Sequence, residues 1–282
     1  MSGKNSGPYS VLAVRGFPTP EEQRNAIVLR YLTFRKFVSL LELEAVWFSR
    51  LADLALVDAL EGTLPSKARK CLLVRHRKYM EQFASSSEML SRVQTMTDKS
   101  MSPGRNIFAV NCWFLGSQET EKMWNDYGER GSGVAICSTV ERISNSFQNL
   151  GGLAKVSVID RVQYVDFESH DMTETDAINV DKVAFLKNKS LAHENEVRIL
   201  TPCIRFNLDR ISLDKEQFNR KGLSIKCNLQ TLIQAVIVGP CAEPHFLTLI
   251  ERLVGRYQLD VDVRRSQLSI SVHPQTLSSL PT

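Results

Sequence analysis

Three ionisable residues at alternate positions lie in the segment Phe185–Leu200, which reads FLKNKSLAHENEVRIL. Successive side chains of a β-strand point to opposite faces, so a strand over His193–Leu200 would put Glu194, Glu196 and Arg198 on one face. A carboxylate on such a face can stabilise positive charge that develops during a reaction. The structural alternative is an edge strand with a charged solvent face, in which Glu196 and Arg198 pair with each other. Both interpretations stay open at this point.

The stretch Asn111–Val140 predicts elements that could form a wall of the pocket around these residues. It reads as a strand, a helix, a glycine turn, a second strand and a second helix, with Ser117 and Ser138 placed to cap the two helices. Trp124 and Tyr127 fall on one face of the first helix. We therefore expect both aromatic side chains to be at least half buried against the sheet.

Short apolar runs elsewhere in the chain indicate further strands of the same sheet. Val28–Phe34 carries Arg30, Ala45–Ser49 ends in a serine, and Val236–Val238 precedes a helix and another strand. The chain contains no internal repeat and no obvious linker. The sequence therefore predicts α+β class, with a central mixed, mostly antiparallel sheet flanked by helices.

Composition sets the outer limits of this prediction. A chain of 282 residues with 43% hydrophobic content can bury a sizeable core. We expect a single domain over residues 21–273, a flexible N-terminal tail at 1–20 and a C-terminal tail at 274–282. With no apolar segment near membrane-spanning length and no signal-peptide pattern, the expected location is cytoplasmic, with no membrane partner.

The charge balance and the cysteines exclude some classes of function. A net charge of +4 and a pI near 8.7 fall short of the concentrated basic face of a dedicated nucleic-acid binder, so nucleic acid is possible but not indicated. Six widely spaced cysteines without a C-x-x-C pair predict reduced, buried thiols and no metal site. The oligomeric state stays open.

The segment Leu64–Met96 has helical composition and contains the most basic stretch of the chain, Lys67–Lys78. An inward apolar stripe favours a helix whose basic face is solvated; its residues are Leu72, Leu73, Tyr79, Met80 and Phe83. A patch that attracts phosphate is the alternative.

The central stretch also resembles a known family. The order W-F-x-x-S-x-E-x-x-x-M-W-x-x-Y-G, then G-x-G-V-A-I-x-S-T, is similar to the bacterial and fungal proteins of domain-of-unknown-function family twenty-nine seventy-one. The resemblance extends from about Leu29 to Ile270. Lys187 matches the lysine of the family's K-x-x-x-aromatic, E-x-E-x-R signature, although Leu191 stands at its aromatic position. The family itself implies no activity.

A more distant similarity concerns the ADP-ribosyltransferase superfamily, in which an arginine-bearing strand, a strand ending in serine and a glutamate-x-glutamate strand occur in this order. The similarity implies NAD as cofactor, with Arg30 on a phosphate, Ser49 near the nicotinamide ribose, Glu196 catalytic and Glu194 assisting the acceptor. Cleavage of the bond between ribose and nicotinamide builds oxocarbenium-like charge, which a carboxylate stabilises.

The expected function is therefore an NAD-dependent ADP-ribosyltransferase-like or NAD-glycohydrolase-like enzyme with an unknown acceptor, in which Trp124 or Tyr127 could stack on a flat base. A non-catalytic module that binds a nucleotide or another small molecule would use the same pocket, with Arg30, Trp124 and Arg198 as contacts. A third hypothesis is a protein-interaction factor of a stress or phage-defence system, which is suggested by the proteins that tend to accompany the family.

Overall fold

The computed structural model of this protein describes residues 13–81, 105, 107–147, 158–203 and 222–268. Its strands are β1 (Ala13–Val14), β2 (Ile27–Leu32), β3 (Ala45–Arg50), β4 (Phe108–Leu115), β5 (Val134–Thr139), β6 (Val158–Arg161), β7 (Gln163–Val165), β8 (Leu186–Asn188), β9 (Glu196–Pro202), β10 (Gly222–Lys226), β11 (Ala235–Val238) and β12 (Asp262–Arg265). Its helices are α1 (Pro20–Asn25), α2 (Phe34–Leu43), α3 (Leu51–Leu54), α4 (Ser66–Glu81), α5 (Glu121–Tyr127), α6 (Val140–Ser146), α7 (Glu174–Ile178), α8 (Val180–Val183), α9 (Leu229–Leu232) and α10 (Pro244–Arg256). Short 3₁₀ helices cover Glu129–Gly131 and Lys189–Glu194.

Ten of these strands form one mixed sheet, in which the order β1-β6-β9-β4-β2-β5-β11-β12 is joined by β3 and β10. Within it, β1 pairs with β6 and β11 with β12 in parallel, while the other pairs are antiparallel. β7 and β8 form a separate parallel pair. The predicted α+β class with a mostly antiparallel sheet is confirmed. Within the described ranges, no helix is long and apolar enough to cross a membrane.

The sheet forks at β4, and Arg30 fills the fork. One edge of β4 pairs with β9 along its length. The other edge pairs with two strands: β2 lies opposite the last two residues of β4, and β3 lies opposite residues 109 and 110 of β4. Between them, the Arg30 guanidinium donates hydrogen bonds to the carbonyl oxygens of Cys112 at 3.3 Å and Trp47 at 3.4 Å. It also lies 5.9 Å from the centroid of the Trp113 ring. Burial lowers the pKa of Arg30 to about 10.

The sheet buries side chains on both faces, and we call one of them the large-core face. Val28, Trp113, Ile136 and Val197 lie on it within the main hydrophobic core, together with apolar residues of α2, α6 and α10. Alternation along each strand sends the neighbouring side chains to the opposite face.

That opposite face, the cluster face, carries two apolar groups. In one of them, Leu29 and Phe114 pack against Met123 and Trp124 of α5. In the other, apolar side chains of β4 and β9 pack against residues that precede β8. The candidate site lies on this face of β9.

Threonines rather than serines cap the two helices of the central stretch. The Thr120 hydroxyl accepts from the Met123 N–H at 3.2 Å at the start of α5, and the Thr139 hydroxyl accepts from the Arg142 N–H at 3.2 Å at the start of α6. The predicted caps at Ser117 and Ser138 are therefore wrong. Ser138 is buried, and its hydroxyl donates to the Leu232 carbonyl at 2.6 Å.

Part of the segment assigned to an N-terminal tail belongs to the fold. Ala13 and Val14 form β1 against β6, and Phe17 is 2% exposed beneath the guanidinium of Arg161. The Thr19 hydroxyl caps α1, which begins at Pro20. The predicted C-terminal tail, residues 274–282, lies outside the described residues.

Candidate functional site

Five ionisable side chains from four chain segments meet on the cluster face, and we call them the ionic cluster. Glu61 comes from the loop between α3 and α4, Lys187 from β8, Glu194 from the 3₁₀ helix Lys189–Glu194, and Glu196 and Arg198 from β9. Their exposed fractions run from 0% for Arg198 to 8% for Glu196. In their ordinary charge states they carry three negative charges and two positive charges.

Arg198 holds two of the carboxylates. Its Nη1 and Nη2 donate to the two oxygens of Glu61 at 2.5 and 2.8 Å, a bidentate geometry. Its Nε donates to Glu196 Oε2 at 2.8 Å, and Nη1 also donates to the carbonyl oxygen of Ala184 at 2.7 Å. Burial by itself would lower the pKa of Arg198, but Glu196 and Glu61 raise it well above its ordinary value.

Lys187 joins the two glutamates that flank residue 195. Its Nζ pairs with Glu194 Oε2 and lies 3.3 Å from Glu196 Oε1. Burial by itself would lower the pKa of Lys187, yet the net shift is upward because of Glu196 and Glu194. Burial would raise the pKa of Glu196, but Arg198 and Lys187 lower it below its ordinary value. Glu196 is therefore a stable carboxylate at neutral pH.

Two tyrosines complete the network. The Tyr127 hydroxyl donates to Glu194 Oε1 at 2.6 Å, and the Tyr164 hydroxyl accepts from the Glu196 backbone N–H at 2.8 Å. Burial, with a nearby glutamate, raises the pKa of each phenol, so both stay protonated at neutral pH. Tyr127 is 41% exposed, and it connects the buried cluster to solvent.

Asn195 explains how Glu194 enters the cluster without lying on β9. It has a positive φ of 36° and ends the 3₁₀ helix, and its backbone carbonyl accepts from Leu115 N at 2.7 Å. The strand therefore begins at Glu196, and the prediction of a strand from His193 is wrong. β9 is central, between β4 and β6, so the edge-strand alternative is also wrong, although the expected pair between Glu196 and Arg198 is present.

Arg30 and Glu196 lie on opposite faces of the sheet. Residues directly opposite each other in an antiparallel pair share a face. Glu196 is opposite Phe114, and Phe114 is opposite Leu29, so these three side chains share the cluster face. Arg30, the next residue of β2, points to the large-core face. The structure does not bring Arg30 to the ionic cluster.

Ser49 and Trp124 also lie away from the cluster. Ser49 pairs with Val110 of β4, whereas Glu196 pairs with Phe114 of the same strand. Val110 and Phe114 are four residues apart, about 13 Å along the strand. Trp124 is 0% exposed, and its indole N–H donates to Glu119 Oε2 at 2.9 Å. Its ring packs edge-on against Tyr31, with 4.9 Å between centroids. Of the predicted site residues, the structure brings together Glu194, Glu196, Arg198 and Tyr127.

Three members of the network were not among the predicted site residues. Lys187 was visible as the signature lysine, and Tyr164 lies in an alternating strand pattern. Glu61 stood as an acidic residue beside Gly62 in an otherwise apolar segment, which is a weak signal. Arg105 fixes the backbone there, since its Nε donates to the Glu61 carbonyl at 2.7 Å.

Comparison with known proteins agrees with the family resemblance. The family model described as Protein of unknown function (DUF2971) matches residues 123–199, which run from within α5 to within β9. This segment holds every member of the network except Glu61, and the match confirms the family resemblance over these residues. No curated protein and no solved structure shows significant similarity to the chain.

Proposed function

We propose that this protein is cytoplasmic and binds a small, positively charged molecule at the outer end of the ionic cluster, beside Tyr127 and Glu194. One observation carries the proposal: the cluster has one carboxylate more than it has cations, and one of these carboxylates, Glu194, accepts a hydrogen bond from the partly exposed Tyr127. A ligand cation would balance the excess negative charge in a region of low dielectric constant.

The energetics of buried charges support a functional role for the cluster. Removing an ion pair from water is costly, and well-packed apolar side chains of similar volume are often equally stabilising or better. A core with five such groups gains little stability that leucine and methionine could not supply. Perturbed ionisable groups are enriched at functional sites, and the pKa values of Lys187, Glu196 and Arg198 are all shifted.

The surface around Tyr127 adds a further carboxylate. Asp126 lies 3.7 Å from His193 Nε2 and 3.1 Å from Lys122 Nζ, and its side chain is 39% exposed. An exposed carboxylate that pairs with Lys122 therefore lies beside the residue that precedes Glu194. Displacement of the Tyr127 hydroxyl would open the Oε1 atom of Glu194 to the ligand.

Cleavage of NAD at the nicotinamide ribose is the second candidate. The observation that favours it is the Glu196 carboxylate, which Arg198 and Lys187 keep ionised. The nicotinamide ring of NAD is positively charged, so it fits the same charge requirement. Glu196 would stabilise oxocarbenium charge at the ribose while the electrons of the broken C–N bond pass to nicotinamide. Water or an acceptor hydroxyl would then add to the ribose and lose its proton, with Glu194 assisting.

The positions of Arg30, Ser49 and Trp124 restrict this second candidate. These residues supply three of the contacts that the ADP-ribosyltransferase similarity implies, and none of them reaches the cluster. The diphosphate and the adenine of NAD would need other partners.

A matched pair of probes tests the first proposal. We expect 1-methylnicotinamide, a cation, to raise the melting temperature of the full chain more than neutral nicotinamide of nearly the same shape. Glu194→Gln should weaken binding of the cation by about tenfold, the effect of one lost charge interaction. Asp262→Asn, an exposed carboxylate on β12, serves as the control and should leave binding unchanged.

The proposal fails if the two probes stabilise the protein equally, or if the preference for the cation survives in Glu194→Gln. Release of nicotinamide from NAD, measured in parallel, tests the second candidate. If the cation binds but no nicotinamide is released from NAD, the binding function is supported and NAD cleavage is excluded.

A further inference from the structure

A groove along one side of α4 takes no part in the ionic cluster. Its cavity volume is about 460 Å³, and the described residues that line it are Lys70, Cys71, Val74, Arg75 and Lys78. On a helix, positions i, i+4 and i+8 follow one another along one face, as do i+1 and i+5. The five residues therefore form a single continuous strip.

The opposite side of α4 attaches the helix to the fold. Ala68 and Leu72 pack with Ala177, Val183 and Leu64 in an apolar group. This side supplies the apolar face that joins the helix to the fold, and the groove strip lies on the other side. The helix face that the sequence predicts to be basic and solvated therefore borders the groove.

The charges of the strip are all of one sign. Three of its five residues are cations, and Lys70 and Lys78 have no ion pair within the described part of the chain. The strip also presents Val74, which is 56% exposed. An anionic ligand with a less polar portion would match both properties.

We propose that this groove binds a phosphorylated small molecule of nucleotide size, with its phosphates on Lys70 and Lys78 and its less polar part against Val74. The space beside the strip, about 460 Å³ and largely open to solvent, is large enough for a ligand of that size. Lys70 and Lys78 are eight residues apart, about 12 Å along the helix axis, so one ligand of this size can reach both. Lysine and arginine are the usual cationic partners of phosphate.

A small molecule fits the groove better than a nucleic-acid strand does. The chain has a net charge of only +4, whereas dedicated nucleic-acid binders spread many cations over an extended surface. Its outermost lining residues, Lys70 and Lys78, are only about 12 Å apart, a little over two turns of the helix. Its ligand is an anion, so it is distinct from the cation proposed for the ionic cluster, and either proposal can fail alone.

Titration calorimetry of the full chain with ATP and with inorganic tripolyphosphate tests the groove. We expect both probes to bind, and the double variant Lys70→Glu/Lys78→Glu should weaken both by at least about tenfold, since two attractions become repulsions. Lys36→Glu, an exposed helical lysine on α2, is the matched control and should change affinity by less than about twofold. The milder pair Lys70→Gln/Lys78→Gln should give an intermediate loss.

Cys71 supplies a second readout that requires no variant, because it is the exposed one of the six cysteines. Bound ATP should slow maleimide labelling of Cys71, located by peptide mapping, without changing the labelling of Cys241. Absence of binding together with absence of protection would overturn the proposal. A single-stranded oligonucleotide that bound more than about 100-fold tighter than ATP would also overturn it and would assign the groove to nucleic acid.

Discussion

Replacement of Arg198 by methionine tests whether the ionic cluster has the charge pairing described above. Methionine keeps much of the length and apolar contact of the side chain but removes the guanidinium. The change leaves both oxygens of Glu61, Oε2 of Glu196 and the Ala184 carbonyl without their donor, in a region where Arg198 itself is fully buried. Lys187 remains as the cation beside Glu196.

The expected loss at neutral pH is about 3–5 kcal/mol of unfolding free energy, the cost of leaving a buried charge without its partner. This would be a large part of the total for a domain whose stability is about 5–15 kcal/mol. Urea unfolding monitored by circular dichroism measures this loss. The slope of the unfolding free energy against urea concentration should stay unchanged. Arg264→Met is the matched control, since Arg264 pairs with Asp262 at the same i, i+2 spacing on β12 but at the surface. Its cost should be below about 1 kcal/mol.

The pH dependence of stability should also reverse sign between wild type and Arg198→Met. In wild type the pKa of Glu196 is lowered from its ordinary value of 4.5, so its contribution is present above that pH and is lost as the pH falls through the folded-state pKa. In the variant, burial should dominate and raise that pKa. The folded state then binds a proton that the unfolded state lacks, and stability should rise as the pH falls from 7 toward 5. One such proton changes the free energy by at most about 1.4 kcal/mol per pH unit.

Either of two results would refute this reasoning about Arg198. A loss below about 1 kcal/mol would show that the carboxylates find other donors or water. A variant that loses stability on acidification as wild type does would show that Glu196 keeps its low pKa without Arg198.

Three further predictions concern single groups. Trp124→Ala should cost about 3–5 kcal/mol in denaturant unfolding because the indole is fully buried, whereas Trp47→Ala, at a side chain 47% exposed, should cost clearly less. Thiol titration of the denatured, unreduced protein should find all six cysteines reactive, since all six are free; a count of four or fewer would contradict this. Glu196→Gln should lower any nicotinamide release from NAD by about two to three orders of magnitude. It should also destabilise the fold, because Glu196 pairs with Lys187 and Arg198, and an unchanged melting temperature would count against that pairing.

Local pattern predicted most of the elements and little of their assembly. Apolar runs located the strands that became β2, β3, β5 and β11, because a buried strand needs a short apolar segment whatever its partners are. The predicted cap at Ser138 was wrong for a tertiary reason: the Ser138 hydroxyl donates to Leu232, 94 residues away, and leaves capping to Thr139. No local pattern reports such a partner.

For the candidate site too, local pattern predicted features within one strand but not the contacts between distant segments. Alternation indicated that Glu196 and Arg198 share a face, which holds in the structure. The left-handed backbone of Asn195 could not be foreseen, yet Glu194 still reaches the cluster through Lys187. Glu61 is 137 residues from Arg198 in sequence, and its bidentate contact depends on how the loop after α3 packs.

The two arginines of the predicted NAD site determine which ligand charge suits the cluster. Arg30 donates to main-chain carbonyls in the fork of the sheet, on the face away from Glu196. Arg198 is held by protein acceptors inside the core: it makes four hydrogen bonds, to Glu61, Glu196 and Ala184, and has no exposed surface. Neither guanidinium is placed to hold a diphosphate beside the two glutamates. A ligand at Tyr127 would therefore meet carboxylate oxygen before it met either arginine, and this order favours a cation.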